Sequence, residues 1–579
     1  MKHLLFLITI LNSFVNPYIS QAQVNSENVR ESVYVHTDRH SYVVGETIWF
    51  KVYAKSYERS WDGQQFRETN SPSRVSKVAY VEVLNSKNEA ILQQSIKLED
   101  GMGQGSLYVP FSVNTAGYRL RCYTRWMRND SPEKYFEKFV SIINPLVSVS
   151  DKSVRIVSNT QSTDSVSIPD AEIYKPLANK SRNLEVVQER RNFSTREKVS
   201  LKLKNLADKK DAASLSVSVY KIDALDKFAS LGIVGYFENS ESATTKKEEK
   251  FVAEYEGQMI TGVVTACDGN VVPGKIIYLY NKGENTIIYT ARTDDEGKFL
   301  FITSEFIPRP NVQIKPEKAD DCFKILIDPA FSDEFSTNEI PSFTLTEGDL
   351  NAISKRSVYM QVNNTSKDEF TQIDSLNYIN FFESEYTTYR LDDYTRFSSL
   401  ETTFKEYISE VAVSNKKGDL SFRIKNEDRV FNRADPLILI DGAVIADPNM
   451  VKQIHPSKID RIQVGVELYL IGEVTFYGVI GIFTKSGVTL RFQNASEYSL
   501  PSNQGLLTPL FPKYETDLAQ SSPKPDFRTL LYWNGDLALE ETQDVEFYTS
   551  DVPGTYKGVI EGISASGELF SESFTFSVK

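Results

Sequence analysis

Between residues 33 and 54 the chain reads Val33-Tyr34-Val35-His36-Thr37-Asp38-Arg39, then Tyr42, Gly45-Glu46, Ile48-Trp49-Phe50 and Val52-Tyr53-Ala54. Two runs that alternate apolar and polar residues flank a glycine-containing turn. That pattern predicts a half-buried β-hairpin at a sheet edge. Similar runs follow, Val78–Leu84, Gly105–Val109 and Ala116–Thr124, separated by the turn residues Asn85-Ser86-Lys87-Asn88 and Asp100-Gly101. This spacing predicts a first β-sandwich over 31–147.

At 579 residues the chain exceeds a single core and predicts roughly four or five domains. Its 34 Phe and 30 Tyr favour strands over helices. The net charge of −13 repels phosphate backbones and anionic lipid, which argues against nucleic acid as a partner. Lys2, an apolar run from Leu4 to Leu11 and the small-x-small site Ser20-Gln21-Ala22 predict a secretory signal peptide over 1–22. No cysteine stands directly after that run, so a lipid-anchored precursor is not expected. No later stretch reaches the roughly 18 apolar residues of a membrane helix, and the mature chain is expected to have no transmembrane segment of its own. Cys122, Cys267 and Cys322 are odd in number and widely spaced, and the expectation is neither a disulfide framework nor a zinc cluster.

The remaining chain divides by composition. Residues 148–182 are rich in Ser, Asp, Asn and Thr and read as linker. A second sandwich is expected over 183–235, from Phe193–Val199 and the strand Leu215-Ser216-Val217-Ser218-Val219-Tyr220. A third module, 256–335, carries Ile260–Val264, Val272–Tyr280 and the hairpin turn Thr293-Asp294-Asp295-Glu296-Gly297. From 336 to 490 the pattern changes. Phe397, Leu400, Phe404, Tyr407, Ile408 and Val411 recur at helical spacing, and Pro436-Leu437-Ile438-Leu439-Ile440-Asp441-Gly442 reads as a buried strand ending in a turn. Asp447-Pro448-Asn449 predicts a capped short helix. A final β unit is expected over 491–579.

The 33–54 run resembles the T-D-(R/K)-x-x-Y-x-P-G-E-x-(V/I)-x-F signature of macroglobulin-type sandwiches, with Val44 where the usual proline would sit. The third module resembles carboxypeptidase-regulatory-like sandwiches. The tract from Pro436-Leu437 through Pro456-Ser457-Lys458-Ile459 to Tyr477-Gly478-Val479-Ile480-Gly481-Ile482 resembles a TonB-dependent-receptor plug. Together these are similar to a family of large secreted proteins of Gram-negative envelopes. The fold so implied is mainly β: tandem immunoglobulin/macroglobulin-like sandwiches plus a small α/β plug-like domain, without a transmembrane barrel. The residues beyond the plug-like tract provide only a handful of barrel strands, and the chain ends at Lys579 rather than an aromatic residue.

Catalytic and metal sites find little support in the residues. His36 and His40 lie i, i+4 on an extended chain, about 13 Å apart, and lack the helix that would bring them onto one metal. His455 precedes Pro456 in a loop. Asp294, Asp295 and Glu296 lack the D-x-D-x-D-G spacing of a calcium loop, and Asp294 is expected to cap its turn. Neither Cys122 nor Cys267 sits in the G-C-G-E-Q thioester motif of protease-trapping macroglobulins. Asp38 is expected to cap the hairpin, with Arg39 pairing locally. No catalytic, cofactor or metal residue is therefore assigned, and no cofactor is expected. The resemblance implies a non-enzymatic envelope protein at the periplasm, outer membrane or cell surface, binding protein partners at an outer-membrane transport or secretion complex. The alternative is a thioester-less macroglobulin-like endopeptidase inhibitor, with 148–182 or 236–255 as its bait segment.

Overall fold

In the computed structural model, the described residues are 29–61, 66–149, 151, 153–157, 183–207, 211–222, 231–240, 250–282, 286–304, 311–314, 322–364, 371–373, 386–425, 435–485, 497–500, 507–509, 511, 513–516 and 521–579. The expected signal peptide, 1–22, lies outside them, as does most of the expected linker. Strands dominate, and they assemble into two compact units built from separated stretches of chain. The larger contains 25–257, 331–375 and 505–579; the smaller contains 258–330 and 376–504. No described helix is long and apolar enough to cross a membrane.

The larger unit begins with a sandwich. One sheet holds Val29–Thr37, Thr47–Trp61, Phe66–Pro72 and Met102–Tyr108. The other runs in the order Ser41–Val43, Phe136–Ile143, Ala116–Thr124, Val78–Leu84, Ala90–Lys97. Val29–Thr37 pairs antiparallel with Thr47–Trp61, as the alternating runs predict, with Val35 opposite Val52 and Tyr34 opposite Tyr53. Two features differ from a half-buried hairpin. The connection crosses to the opposite sheet, where Ser41–Val43 pairs parallel with Phe136–Ile143. Both faces of the paired strands are also buried: Val33 and Val35 enter the sandwich core, and Tyr34, His36, Lys51 and Tyr53 are covered as well. What covers them is a second sandwich.

That second sandwich is a composite. Leu184–Gln188, Lys198–Asn205 and Thr542–Tyr548 form one sheet; Asn192–Phe193, Leu569–Val578, Gly554–Ser564, Ala213–Lys221 and Leu530–Leu539 form the other. Val199, Leu201, Leu203, Val217 and Val219 share one core with Leu531, Val545, Phe547, Ile560 and Phe576. The segments 183–235 and 491–579, read from sequence as two units, therefore interleave in the same sheets. Each contributes strands to both sheets, so neither forms the sandwich alone.

In the smaller unit, Lys298–Thr303, Gln258–Ala266 and Phe323–Ile327 pack against Ile288–Arg292, Ile276–Tyr280, Asn311–Ile314 and Glu497–Ser499 around Val264, Ile277, Leu279 and Phe299. Cys267 and Cys322 are joined by a disulfide, with Cα atoms 5.5 Å apart, against the expectation of no disulfide framework. The pair extends the antiparallel ladder of Gln258–Ala266 and Phe323–Ile327 by one position, and Cys267 N–H donates to Cys322 C=O. Cys122 stays a free, buried thiol.

The same unit contains a mixed sheet in the order Tyr386–Arg390, Ile459–Ile471, Val474–Thr484, Leu437–Ile440, Ala443–Val444. The predicted buried strand Leu437–Ile440 runs parallel to Val474–Thr484 and ends at Asp441 and Gly442, both with positive φ. The Asp441 carboxylate accepts from the N–H and hydroxyl of Thr484, each at 2.8 Å. The predicted helix is shorter than its period: it spans Leu400–Tyr407, capped by Ser399, and Val411 already belongs to the strand Val411–Lys416. Asp447 caps the 3-10 helix Pro448–Gln453 as expected. Tyr278, Tyr280 and Ile288 of the sandwich share a core with Leu437, Leu439, Phe476 and Val479 of this sheet.

Candidate functional site

A dense group of buried polar side chains lies where the two sandwiches of the larger unit meet. The alternation of each strand creates it. In Ala213–Lys221, Leu215, Val217 and Val219 enter the composite core, so Ser214, Ser216 and Ser218 point the other way. The facing strand Val29–Thr37 contributes Tyr34 and His36, and Thr47–Trp61 contributes Lys51 and Tyr53. His36 Nδ1 lies 2.6 Å from Ser216 Oγ, and Tyr53 Oη donates to Glu561 C=O at 2.9 Å and lies 2.8 Å from Ser216 Oγ. Tyr34 Oη donates to Glu561 Oε2 at 2.7 Å. The other carboxylate oxygen, Oε1, accepts from the Ile233 N–H at the start of the helix Ile233–Ser240. Gly232 makes room for it, since a Cβ there would lie 2.9 Å from that oxygen. Lys51 Nζ donates to Ser214 Oγ at 2.5 Å and lies 3.4 Å from Asp536 Oδ1.

Burial governs the ionisation of these groups. It lowers the His36 imidazole well below its usual range, helped by Lys138 and Lys51, so the ring is neutral. It raises the Glu561 carboxyl, opposed by the Tyr34 hydrogen bond and Lys138. It lowers the Lys51 ammonium to about 8, against the pull of Asp536. Ser216, His36 and Glu561 have the residue types of an acyl-transfer triad but not its wiring. Ser216 Oγ and Glu561 Oε2 both approach Nδ1, at 2.6 and 4.0 Å, whereas a relay engages opposite ring nitrogens. All three side chains are sealed between sheets, so the group acts as a joint between sandwiches.

The signature residues close the same region. Asp38, with no exposure, accepts from Trp49 N–H at 2.9 Å, Tyr42 Oη at 2.8 Å and Arg39 Nε at 2.8 Å. It thus fixes the start of the connection, as the sequence predicts. Gly45-Glu46 has a role that sequence reasoning missed. Glu46 receives Arg356 from the helix Glu347–Asn364, Nε to Oε1 at 2.9 Å and Nη2 to Oε2 at 2.8 Å, while Arg356 Nη2 also donates to Ser41 C=O at 2.7 Å. Burial would raise the Glu46 carboxyl, but Arg356 and Arg39 outweigh it and hold it below the usual range. Gly45, at φ +91°, lets the helix approach: a Cβ there would lie 2.6 Å from Met360 Sδ.

The other candidates occupy local structural positions. His40 has a buried Nδ1 without a hydrogen-bond partner; burial, Lys138, Lys557 and His36 all depress its basicity. His455 caps the 3-10 turn Pro456–Lys458 by accepting the Ser457 N–H. Asp294 Oδ1 accepts from the N–H groups of Glu296 and Lys298 at 2.9 and 2.8 Å. Among the described residues no group of three or more His, Cys, Asp or Glu side chains could hold a metal ion. A cavity of about 40 Å³ lined by Tyr278, Asp435, Leu437, Ala446 and Phe476 is far below the several hundred Å³ of a ligand pocket. Of the expected bait segments, 158–182 lies outside the described residues. The 236–255 segment is partly pinned: Phe237 is buried, Glu254 accepts from Tyr80 Oη at 2.9 Å, and Phe251 lies under Arg128.

No family model and no curated protein matches this chain. Solved bacterial α2-macroglobulins are similar to it. The Salmonella protein reacted with methylamine is 8% identical, over 95% of this chain and 39% of its own, with a TM-score of 0.22. The native Escherichia coli protein is 10% identical, over 95% of this chain and 40% of its own, also at 0.22. Dimeric latent PorU from Porphyromonas gingivalis is 8% identical, over 95% of this chain and 34% of its own, at 0.13. The chain thus spans about two fifths of the macroglobulins it matches.

Proposed function

We propose that the protein is a non-enzymatic binding or scaffold protein of a Gram-negative cell envelope, which docks onto an outer-membrane transport or secretion complex through its plug-like region. The observation that carries this reading is the shared core of Tyr278, Tyr280 and Ile288 with Leu437, Leu439 and Phe476. It makes the plug-like sheet one rigid body with the sandwich that bears it, as a docking head requires. The hairpin Ile459–Ile471/Val474–Thr484 exposes Leu468 and Leu470, at 60% and 65%, on the face opposite that core. Exposed apolar side chains on rigid strands are suited to a protein partner. The Cys267–Cys322 disulfide supports passage through an oxidising compartment, in line with the signal-like N-terminus.

The test is cross-linking and affinity capture of the tagged, mature full-length chain from intact envelopes, with partners read by mass spectrometry. An outer-membrane barrel or its surface lipoprotein should be recovered by the wild type and lost with Leu468→Glu/Leu470→Glu. Equal recovery by both chains overturns docking through this hairpin. Capture of proteases instead moves the reading to the thioester-less inhibitor.

A further inference from the structure

The N-terminal sandwich grips part of its own chain as a receptor grips a peptide. Arg119, Arg121 and Tyr123 alternate with the core residues Leu120 and Cys122, so they stand on the outer face of the five-stranded sheet. Neighbouring strands place Glu82 and Glu137 opposite Arg121, and Tyr80 opposite Tyr123. Across this face lies Phe331-Ser332-Asp333-Glu334-Phe335-Ser336-Thr337-Asn338, which belongs to no strand or helix. Arg121 Nη2 donates to Ser332 C=O at 2.6 Å and Nη1 to Glu334 C=O at 2.7 Å; Arg119 Nη2 donates to Asn338 C=O. The Ser332 N–H donates to Tyr123 Oη at 2.6 Å. Phe331 stands edge-on to Tyr80 at 5.4 Å, and the Phe335 ring lies 4.4 Å from the Arg121 guanidinium. Ser336 and Asn338 reach the Glu137 carboxylate.

We propose that this face is a binding groove for an extended peptide carrying two aromatic side chains four residues apart, and that residues 331–338 are its resident occupant. Three features support this. Four of the contacts are made with the segment's main chain, which any extended peptide supplies; the aromatic pair adds selectivity. The sheet's own residues position the donor, because Arg121 Nε donates to Glu82 at 2.6 Å, and Glu82 in turn accepts from Gln93 at 2.7 Å. The segment forms a single layer, with Asp333, Glu334, Thr337 and Asn338 facing solvent. When the segment leaves, the two forward N–H groups of the guanidinium exchange its carbonyls for water, and another extended peptide can supply the same acceptors. This site is separate from the hairpin at 459–484 and does not depend on docking there.

The probe is a fluorescein-labelled peptide of residues 329–340, titrated into the full-length chain by anisotropy. Phe331→Ala/Phe335→Ala weakens the resident segment, so this variant should bind the peptide about tenfold more tightly than wild type. The same peptide with both Phe replaced by Ala should not bind, and Tyr123→Phe in the variant should weaken binding severalfold. Equal binding to wild type and variant, or undiminished binding of the Phe-less peptide, overturns the proposal. A second reading needs no variant: saturating peptide should raise amide exchange across 331–338 of the wild-type chain, and unchanged exchange also overturns it.

Discussion

The phenol of Tyr34 donates a 2.7 Å hydrogen bond to the carboxylate of Glu561, a residue 527 positions later in the chain. One oxygen of that carboxylate takes this bond and the other takes the N–H of Ile233, so a single buried side chain ties the first sandwich, the composite sandwich and a helix start together. Tyr34→Phe removes one donor and leaves Glu561 Oε2 buried without it. The expected loss is about 1–3 kcal/mol in the urea unfolding of the larger unit. A double-mutant cycle with Glu561→Gln should return a coupling above about 0.5 kcal/mol.

Acid should loosen the same joint. His36 and His40 both have basicities depressed in the folded protein below the usual 6.5 of an imidazole, chiefly by burial. The unfolded chain therefore takes up their protons first as pH falls. Their contribution to stability is complete above about pH 6.5 and is lost below it, at up to about 1.4 kcal/mol per pH unit for each ring. Glu561 acts in the opposite sense: its raised carboxyl favours folding below the usual carboxyl value of 4.5 and loses that contribution as pH rises through its folded value. Thermal scans at pH 7.5 and 5.5 should show a lower melting temperature at 5.5, and His36→Asn should flatten the difference.

The disulfide closes a span of 55 positions in the smaller unit. Loop-closure entropy for a span of that size predicts a loss of about 4 kcal/mol on Cys267→Ser/Cys322→Ser. Calorimetry with and without reductant should show one transition move while that of the larger unit stays in place.

Gly45→Ala should release the helix Glu347–Asn364. The substitution must adopt φ +91° and puts a Cβ 2.6 Å from Met360 Sδ. A cost of about 1–3 kcal/mol is expected. Faster amide exchange across 347–364, with the strands Val78–Leu84 and Ala116–Thr124 still protected, is the outcome that separates undocking from global unfolding.

Local chemistry was legible in the sequence wherever neighbours in the chain determine it. The Asp38 contacts to Arg39 and Tyr42, the Asp294 turn, the Asp441-Gly442 strand end and the Asp447 cap all rest on contacts within a few residues or on a fixed φ sign. Alternation misled where the polar face meets another polar face. Tyr34, His36 and Lys51 have the pattern of residues facing water, yet Ser214, Ser216 and Glu561 cover them. A period of two reports that a face is polar, not what lies against it. Pairings at long range left no local trace either. Arg356 for Glu46, Cys267 for Cys322, and the partnership of Ala213–Lys221 with Gly554–Ser564 each join residues separated by tens to hundreds of positions. The predicted helix over 397–411 was shortened because Ile408 and Val411 belong to the same core as Leu400 and Phe404, and a strand satisfies that core as well as another turn would.

The composite sandwich also sets a timetable. The apolar side of Ala213–Lys221 finds its neighbours only when Leu530–Leu539 and Gly554–Ser564 arrive, about 300 residues later. At ribosomal speeds of about 5–20 residues per second that is a wait on the order of half a minute. Throughout it Leu215, Val217 and Val219 stand bare, so the nascent chain needs either a chaperone's shelter or delivery across a membrane before they fold.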